Sequence, residues 1–217
     1  MTTKELHGIY HELNFWKGFV KTDRFINGWV SHKKTPELNQ FVADFIKNVP
    51  HETVLDIGSG VVSILNGLVP VTAADPLGDL YKLVFDYQKH KLTAPIPCPA
   101  EELHFKCDFD IVHCSNAIDH TQNPILAYSK MMDAVKPGGY LIIQGFENEG
   151  TFENWEGFHQ NDISVEANTL CLKNKMGSMA VIDTKPTHLE FVEFENKRWF
   201  IWIKQKQWYS ALTLTDA

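Results

Sequence analysis

The apolar positions of this chain follow two different periods. Between residues 36 and 144, short apolar runs alternate with stretches of helical spacing. Val54-Leu55-Asp56-Ile57, Val71-Thr72-Ala73-Ala74, Phe109-Asp110-Ile111-Val112-His113-Cys114 and Tyr140-Leu141-Ile142-Ile143 have the length and apolar content of buried strands. Phe41, Val42, Phe45 and Ile46 recur at helical spacing, as do Ile125, Leu126, Tyr128, Met131, Met132 and Val135. Strands alternating with such helices predict an α/β fold on a mostly parallel sheet. Beyond Gly145 the period shortens to two. Residues 169–172 and 179–182 flank a Lys-Asn-Lys-Met-Gly turn, residues 189–194 alternate, Glu195-Asn196-Lys197 turns, and 198–204 follow as a last strand. Antiparallel strands are therefore expected to finish the chain.

Punctuation sharpens several boundaries. Thr35-Pro36-Glu37 is a helix start, with Val49-Pro50 as its stop, and Lys136-Pro137-Gly138-Gly139 ends the second long helix. Short helices are expected from Val61 to Leu68 and from Leu80 to Tyr87. Residues 91–99 carry three prolines and are at most a short edge strand. Tyr10, Phe15, Trp16, Phe19, Phe25 and Trp29 crowd the first thirty residues, so one or two amphipathic helices are expected there. Such helices pack on the domain, or form a lid with Trp16, Lys17 and Arg24 facing a site.

With 217 residues, 44% of them hydrophobic, the chain suffices for one domain with a real core. A net charge of −7 with scattered basic residues argues against nucleic acid as a partner. No apolar run approaches the roughly 18 residues of a membrane span, and no leader pattern is read at the start. Cys98, Cys107, Cys114 and Cys171 form no Cys-x-x-Cys pair, which suggests reduced thiols in a cytoplasmic protein.

The candidate chemistry centres on Asp56-Ile57-Gly58-Ser59-Gly60, a strand end breaking into a glycine turn. Glycine there supplies unusual φ angles and a backbone that a ligand can approach closely. Asp75 ends the next strand, fifteen residues after Gly60. A glycine loop beside a strand-end carboxylate suits a ligand carrying a ribose. A dinucleotide fingerprint would want glycine where Ser63 stands.

The loop instead resembles the first motif of class I S-adenosylmethionine-dependent methyltransferases, with Asp75 where their ribose-binding acid falls. Val62 replaces the third glycine of the motif's fullest form. Ala100-Glu101-Glu102-Leu103 resembles their third motif, with Pro99 in place of the usual acid. Phe109-Asp110, the strand to Asn116, the helix after Asn123-Pro124, Lys136-Pro137-Gly138-Gly139 and the following strand resemble the fourth and fifth. Over residues 35–165 the finer resemblance is to the type 11-like methyltransferases of bacterial polysaccharide and natural-product pathways. It implies a Rossmann-like class I methyltransferase sheet in a single domain. Residues 1–34 would be a helical cap, 35–150 the cofactor-binding core, and 151–217 antiparallel strands with an acceptor-side loop. It implies S-adenosyl-L-methionine as cofactor, contacted by Asp56, Gly58, Gly60, Asp75, Pro76, Ala100, Glu101 and Asn116. A small hydroxylated acceptor, with carbohydrate the leading candidate, would be methylated on oxygen.

His120, just past a strand's carboxyl end, is the first candidate base, and His159 in Trp155-Glu156-Gly157-Phe158-His159-Gln160 is the second. Asn116 and Asp119 are expected to shape the site floor. A metal could replace the base through Asp119, His120 and Glu147, but their spacing demands none. The competing readings are a silent adenosylmethionine-binding protein and an NAD(P)-dependent oxidoreductase.

Overall fold

The computed structural model describes residues 3–20 and 36–208. In chain order these form α1 (Thr3–Phe19), α2 (Pro36–Asn48), β1 (Val54–Ile57), β2 (Thr72–Ala74), α3 (Gly78–Tyr81), α4 (Tyr87–His90) and β3 (Phe109–Ser115). Then follow α5 (Pro124–Ala134), β4 (Val135–Phe146), α6 (Glu149–Phe152), β5 (Asn161–Glu166), β6 (Thr169–Asn174), β7 (Met179–Thr184), β8 (His188–Phe194) and β9 (Lys197–Gln205). Six strands make the main sheet in the order β2-β1-β3-β4-β9-β8, parallel from β2 to β4 and antiparallel at β9 and β8. This is the expected Rossmann-like α/β sheet with antiparallel final strands.

Both faces of that sheet are covered, which explains its near-continuous apolar strands. Val54, Ile111, Ile142, Ile201 and Ile203 form one face with Leu38, Val42 and Ile46 of α2. Leu55, Ile57, Val112, Leu141, Ile143, Phe200 and Trp202 form the other, with Ala127, Met131 and Ala134 of α5. Each such aliphatic side chain contributes about 1.5–3 kcal/mol by leaving water. Asn123 caps α5 by accepting from Leu126 N–H at 3.1 Å, with Pro124 as its first residue.

Local chemistry changed several expectations. Residues 61–68 form turns, not a helix. Two β-branched valines open the segment, the Ser63 hydroxyl accepts from Leu65 N–H at 3.0 Å, and Gly67 sits at φ +83°. The helix expected from Leu80 to Tyr87 is split into α3 and α4, the second capped by Asp86 accepting from Lys89 N–H at 3.0 Å. The proline-rich segment contributes one parallel bridge, Ile96 to Ala74. Lys136-Pro137-Gly138-Gly139 lies inside β4, which begins at the residue directly after α5. The β6–β7 hairpin forms as expected, but it joins β5 in a separate three-stranded sheet. Thr35, Arg24, Phe25, Ile26 and Trp29 lie outside the described residues.

Candidate active site

The carboxyl ends of β1, β2, β3 and β4 converge on one edge of the sheet, the usual crevice for ligands in open α/β folds. At the end of β1, Gly58 and Gly60 adopt φ +65° and +64°, in the left-handed region that glycine enters at no steric cost. A Cβ on Gly58 would stand 2.3 Å from the Ala117 Cβ, so close approach requires glycine there as well. The loop is tied to β2 by Gly58 N–H donating to Ala74 O at 2.9 Å and by Gly60 N–H donating to Asp75 Oδ2 at 2.9 Å.

Asp75 also accepts from Leu77 N–H through Oδ1 at 2.9 Å and from the Tyr81 hydroxyl. Its carboxyl is pushed up to about 6 by burial; the bonds from Leu77 and Gly60 oppose that shift, and the nearby Glu12 carboxylate adds to it. Burial likewise pushes the Tyr81 and Tyr87 hydroxyls up, aided by the Asp75 charge. Pro76 follows Asp75 at the surface, while Ala100 is buried in the main core.

Beyond β3 the chain turns through Asn116, at φ +51°, into a short 3₁₀ turn, Ile118–His120. Asn116 N–H donates to Gln144 O at 2.7 Å and its Nδ2 to Glu149 Oε1 at 2.7 Å. Burial and the neighbouring Asp119 carboxylate hold Glu149 well above the usual carboxylate range. The loop before β5 brings His159 to this turn. His159 Nδ1 lies 2.7 Å from Asp119 Oδ2 and 3.1 Å from His120 Nε2, and the latter is 3.5 Å from Asp119 Oδ2. One Nδ1–H shared between a carboxylate and the lone pair of His120 satisfies this arrangement. It leaves His159 Nε2 as the basic nitrogen.

The turn is fixed by four bonds from the residues after His159. Gln160 N–H and Asn161 Nδ2 donate to Asp119 O at 3.2 and 3.0 Å, Asn161 Nδ2 to Thr121 O at 2.8 Å, and Gln160 Nε2 to His120 O at 3.1 Å. Asp119 is 2% exposed, so its charge acts on the histidines with little screening.

The structure thus brings together Gly58, Gly60 and Asp75 on one side and Asn116, His120 and His159 on the other. Asp56 is engaged elsewhere: its Oδ1 lies 2.7 Å from His113 Nδ1 on the adjacent strand, with both side chains buried. Glu101 accepts from Asn123 N–H at 3.0 Å and braces the start of α5. Glu147 is outside the histidine cluster, accepting from Val165 N–H at 2.9 Å and facing Arg198 at 3.3 Å. His159 takes the place that Glu147 held in the expected metal set, since Asp119, His120 and His159 offer ligand atoms within 4.8 Å of one another. Sequence reasoning missed Glu149 and the pinning by Gln160 and Asn161. Their one signal was position, on segments that follow β4 and lead into β5. Of the anticipated lid residues, Lys17 is exposed and Trp16 lies on the glycine loop.

The sequence matches the methyltransferase-domain family over residues 29–178. No curated protein matches it. The Burkholderia thailandensis 1,6-didemethyltoxoflavin-N1-methyltransferase, solved with 1,6-didemethyltoxoflavin and S-adenosylhomocysteine, superposes with a TM-score of 0.51 at 15% identity, over 93% of this chain and 90% of that one. The N-methyltransferase NodS of Bradyrhizobium japonicum gives 0.56 at 11% identity, over 82% of this chain and 99% of that one. An S-adenosylmethionine-dependent methyltransferase from Clostridium acetobutylicum gives 0.52 at 12% identity, over 89% and 99%. At these identities the likeness is one of fold.

Proposed function

The chain belongs to the methyltransferase-domain family and is a class I S-adenosylmethionine-dependent methyltransferase, and we propose that it methylates a hydroxyl of a small acceptor, with carbohydrates the first candidates. The observation that carries this reading is the 2.7 Å contact between His159 and Asp119, one strand away from the glycine loop. An amine can attack a methyl sulfonium as the free base, whereas a hydroxyl gains from a base that takes its proton as the bond forms. The cofactor supplies an electrophilic methyl on a sulfonium. Held over Gly58, Gly60 and Asp75, that group would give its methyl to the acceptor oxygen and leave as the neutral thioether, while His159 Nε2 would take the hydroxyl proton. Asp119 orients the ring and stabilises the imidazolium, and His120 fixes the shared Nδ1–H.

In the same reading Gly58 and Gly60 let the cofactor approach the backbone, and Asp75 accepts the ribose hydroxyls, with Pro76, Ala100 and Asn116 around them. Most of the remaining rate comes from holding the two reactants in line. Residues 35–150 serve the cofactor, 151–217 and the His159 loop the acceptor, and 1–34 act as a cap. Four free cysteines fit a cytoplasmic setting. No helix among the described residues is long and apolar enough to cross a membrane.

Calorimetric titration of adenosylmethionine and adenosylhomocysteine into the wild type and Asp75→Ala is the first test. Binding that collapses in the variant supports the cofactor site, and a screen beginning with sugars then identifies the acceptor. Methylation of an amine and of no hydroxyl would overturn the oxygen assignment. A second reading rests on the mutual 4.8 Å spread of Asp119, His120 and His159, which one divalent ion could span. Full turnover after exhaustive chelation would exclude it, since an ion held at Nδ1 would displace the shared proton.

A further inference from the structure

Helix α1 lies across both halves of the site. At one end, Trp16 rests on the glycine loop: a Cβ on Gly60 would stand 2.1 Å from Trp16 Cζ2 and 2.7 Å from Cη2. The ring meets Tyr81 edge-on, with centroids 6.2 Å apart, and Nε1–H donates to Glu12 Oε1 at 2.8 Å. Tyr81 is the residue whose hydroxyl bonds Asp75. At the other end, a Cβ on Gly8 would stand 2.6 Å from Phe158 Cε1, and one on Gly157 would stand 3.1 Å from His11 Nδ1. Phe158 and Gly157 flank the loop that delivers His159, and the Phe158 ring faces His120. One rigid element therefore touches the cofactor loop and the acceptor loop together.

Two further observations bear on what this contact does. Asp75 is 6% exposed, its carboxylate bonded by Gly60 and Leu77 N–H and by the Tyr81 hydroxyl, and Trp16 of α1 stands against both Gly60 and Tyr81, so a ligand approaching that carboxylate over the glycine loop meets the seated helix. The helix is also lightly held. Among residues 6–20 only Gly8 is fully buried, Leu6, Tyr10 and Phe15 are exposed, and Ile9, Leu13 and Trp16 are only partly covered. Elements with few buried apolar contacts open at low free energy.

We propose that α1 is a strap that closes the free enzyme, with Trp16 against Gly60 in the space the cofactor takes. Cofactor entry lifts the helix, and through Gly8 and His11 the lift loosens the loop carrying His159. The acceptor site is thereby opened by the cofactor, an ordered coupling built from one helix. The proposal rests on the adenosylmethionine reading of the glycine loop. It makes cofactor affinity lower than the site's own by the fraction of molecules with the strap open.

Hydrogen exchange with and without adenosylhomocysteine, and stopped-flow binding to the wild type, Trp16→Ala and Glu12→Ala, test it. Exchange over residues 3–20 and 156–160 is expected to rise on binding, and the wild-type association rate to reach a plateau with ligand concentration. Both variants are expected to bind faster and about tenfold tighter, Glu12→Ala by freeing the indole without removing it. A fall in exchange over residues 3–20, with Trp16→Ala binding more weakly, would overturn the strap and make α1 a cover that closes over bound ligand. Binding with unchanged exchange there would also overturn it. Adenosylhomocysteine binding to none of the three folded proteins would sink the cofactor reading itself.

Discussion

Burial holds the Asp75 proton more tightly in the folded protein, with a carboxyl pKa of about 6 against an ordinary 3.8. The groups facing it are Glu12 from α1, Tyr81 from α3 and Tyr87 from α4; the Glu12 charge disfavours its ionised form, while the bond from the Tyr81 hydroxyl favours it without offsetting burial. A raised acid contributes stability that is complete below pH 3.8 and is lost as pH rises through about 6. Ligand binding is expected to run the other way, since in the proposed reading ribose hydroxyls donate to the ionised carboxylate. Adenosylhomocysteine affinity is therefore expected to fall about tenfold between pH 7 and pH 5, and Asp75→Asn to bind weakly at both. Titrations at the two pH values check this, and a flat wild-type profile would contradict it. At His159 the expectation differs in kind. His159→Gln and Asp119→Asn should lower kcat by about 10²–10⁴ with cofactor affinity unchanged if, as proposed, both act on the acceptor's proton. Single-turnover assays beside a binding isotherm separate the two effects.

At the scale of elements, the β1–Gly58–Gly60 turn carries both a steric and a conformational demand. Gly58→Ala places a methyl 2.3 Å from the Ala117 Cβ and asks an L-residue to adopt φ +65°. A loss of about 2–4 kcal/mol is expected by urea unfolding. Adding Ala117→Gly should recover the steric share and leave about 1–2 kcal/mol for the backbone. No recovery in the double variant would mean that the φ requirement carries the whole cost. The turn was legible in the sequence because its needs are local, as were β1, β3, β4, α2 and α5, whose periods follow from burial on one or both faces. The Val61–Leu68 helix was misread because Ser63 and Gly67 compete locally with helical bonding, and composition does not show which wins. The period of two in β5–β7 identifies strands but not their neighbours, so the second sheet could not be told from an extension of the first. For the same reason the sequence offers His120 and His159 as separate candidates, while the arrival of His159 at His120 and Asp119, 39 and 40 residues away in sequence, needed the tertiary fold.

At the scale of the whole molecule, ligand binding and core packing act on stability through separate parts. A ligand bound only by the folded state at about one hundred times its dissociation constant adds about 2.7 kcal/mol. For a chain of 217 residues that corresponds to a rise in Tm of roughly 5–10 °C. Ile46→Ala removes a fully buried side chain from the α2 face of the sheet, in a cluster that includes neither Gly58, Gly60 nor Asp75. It should cost about 2–5 kcal/mol and lower the Tm of the free protein. Because that cluster contains none of the proposed cofactor contacts, the increment from adenosylhomocysteine should survive in Ile46→Ala within about 0.5 kcal/mol. In Asp75→Ala the increment should vanish. Thermal unfolding of the three proteins with and without ligand decides the matter: loss of the increment in Ile46→Ala would show that α2 and the cofactor loop form one cooperative unit, while its persistence in Asp75→Ala would remove Asp75 from the binding site.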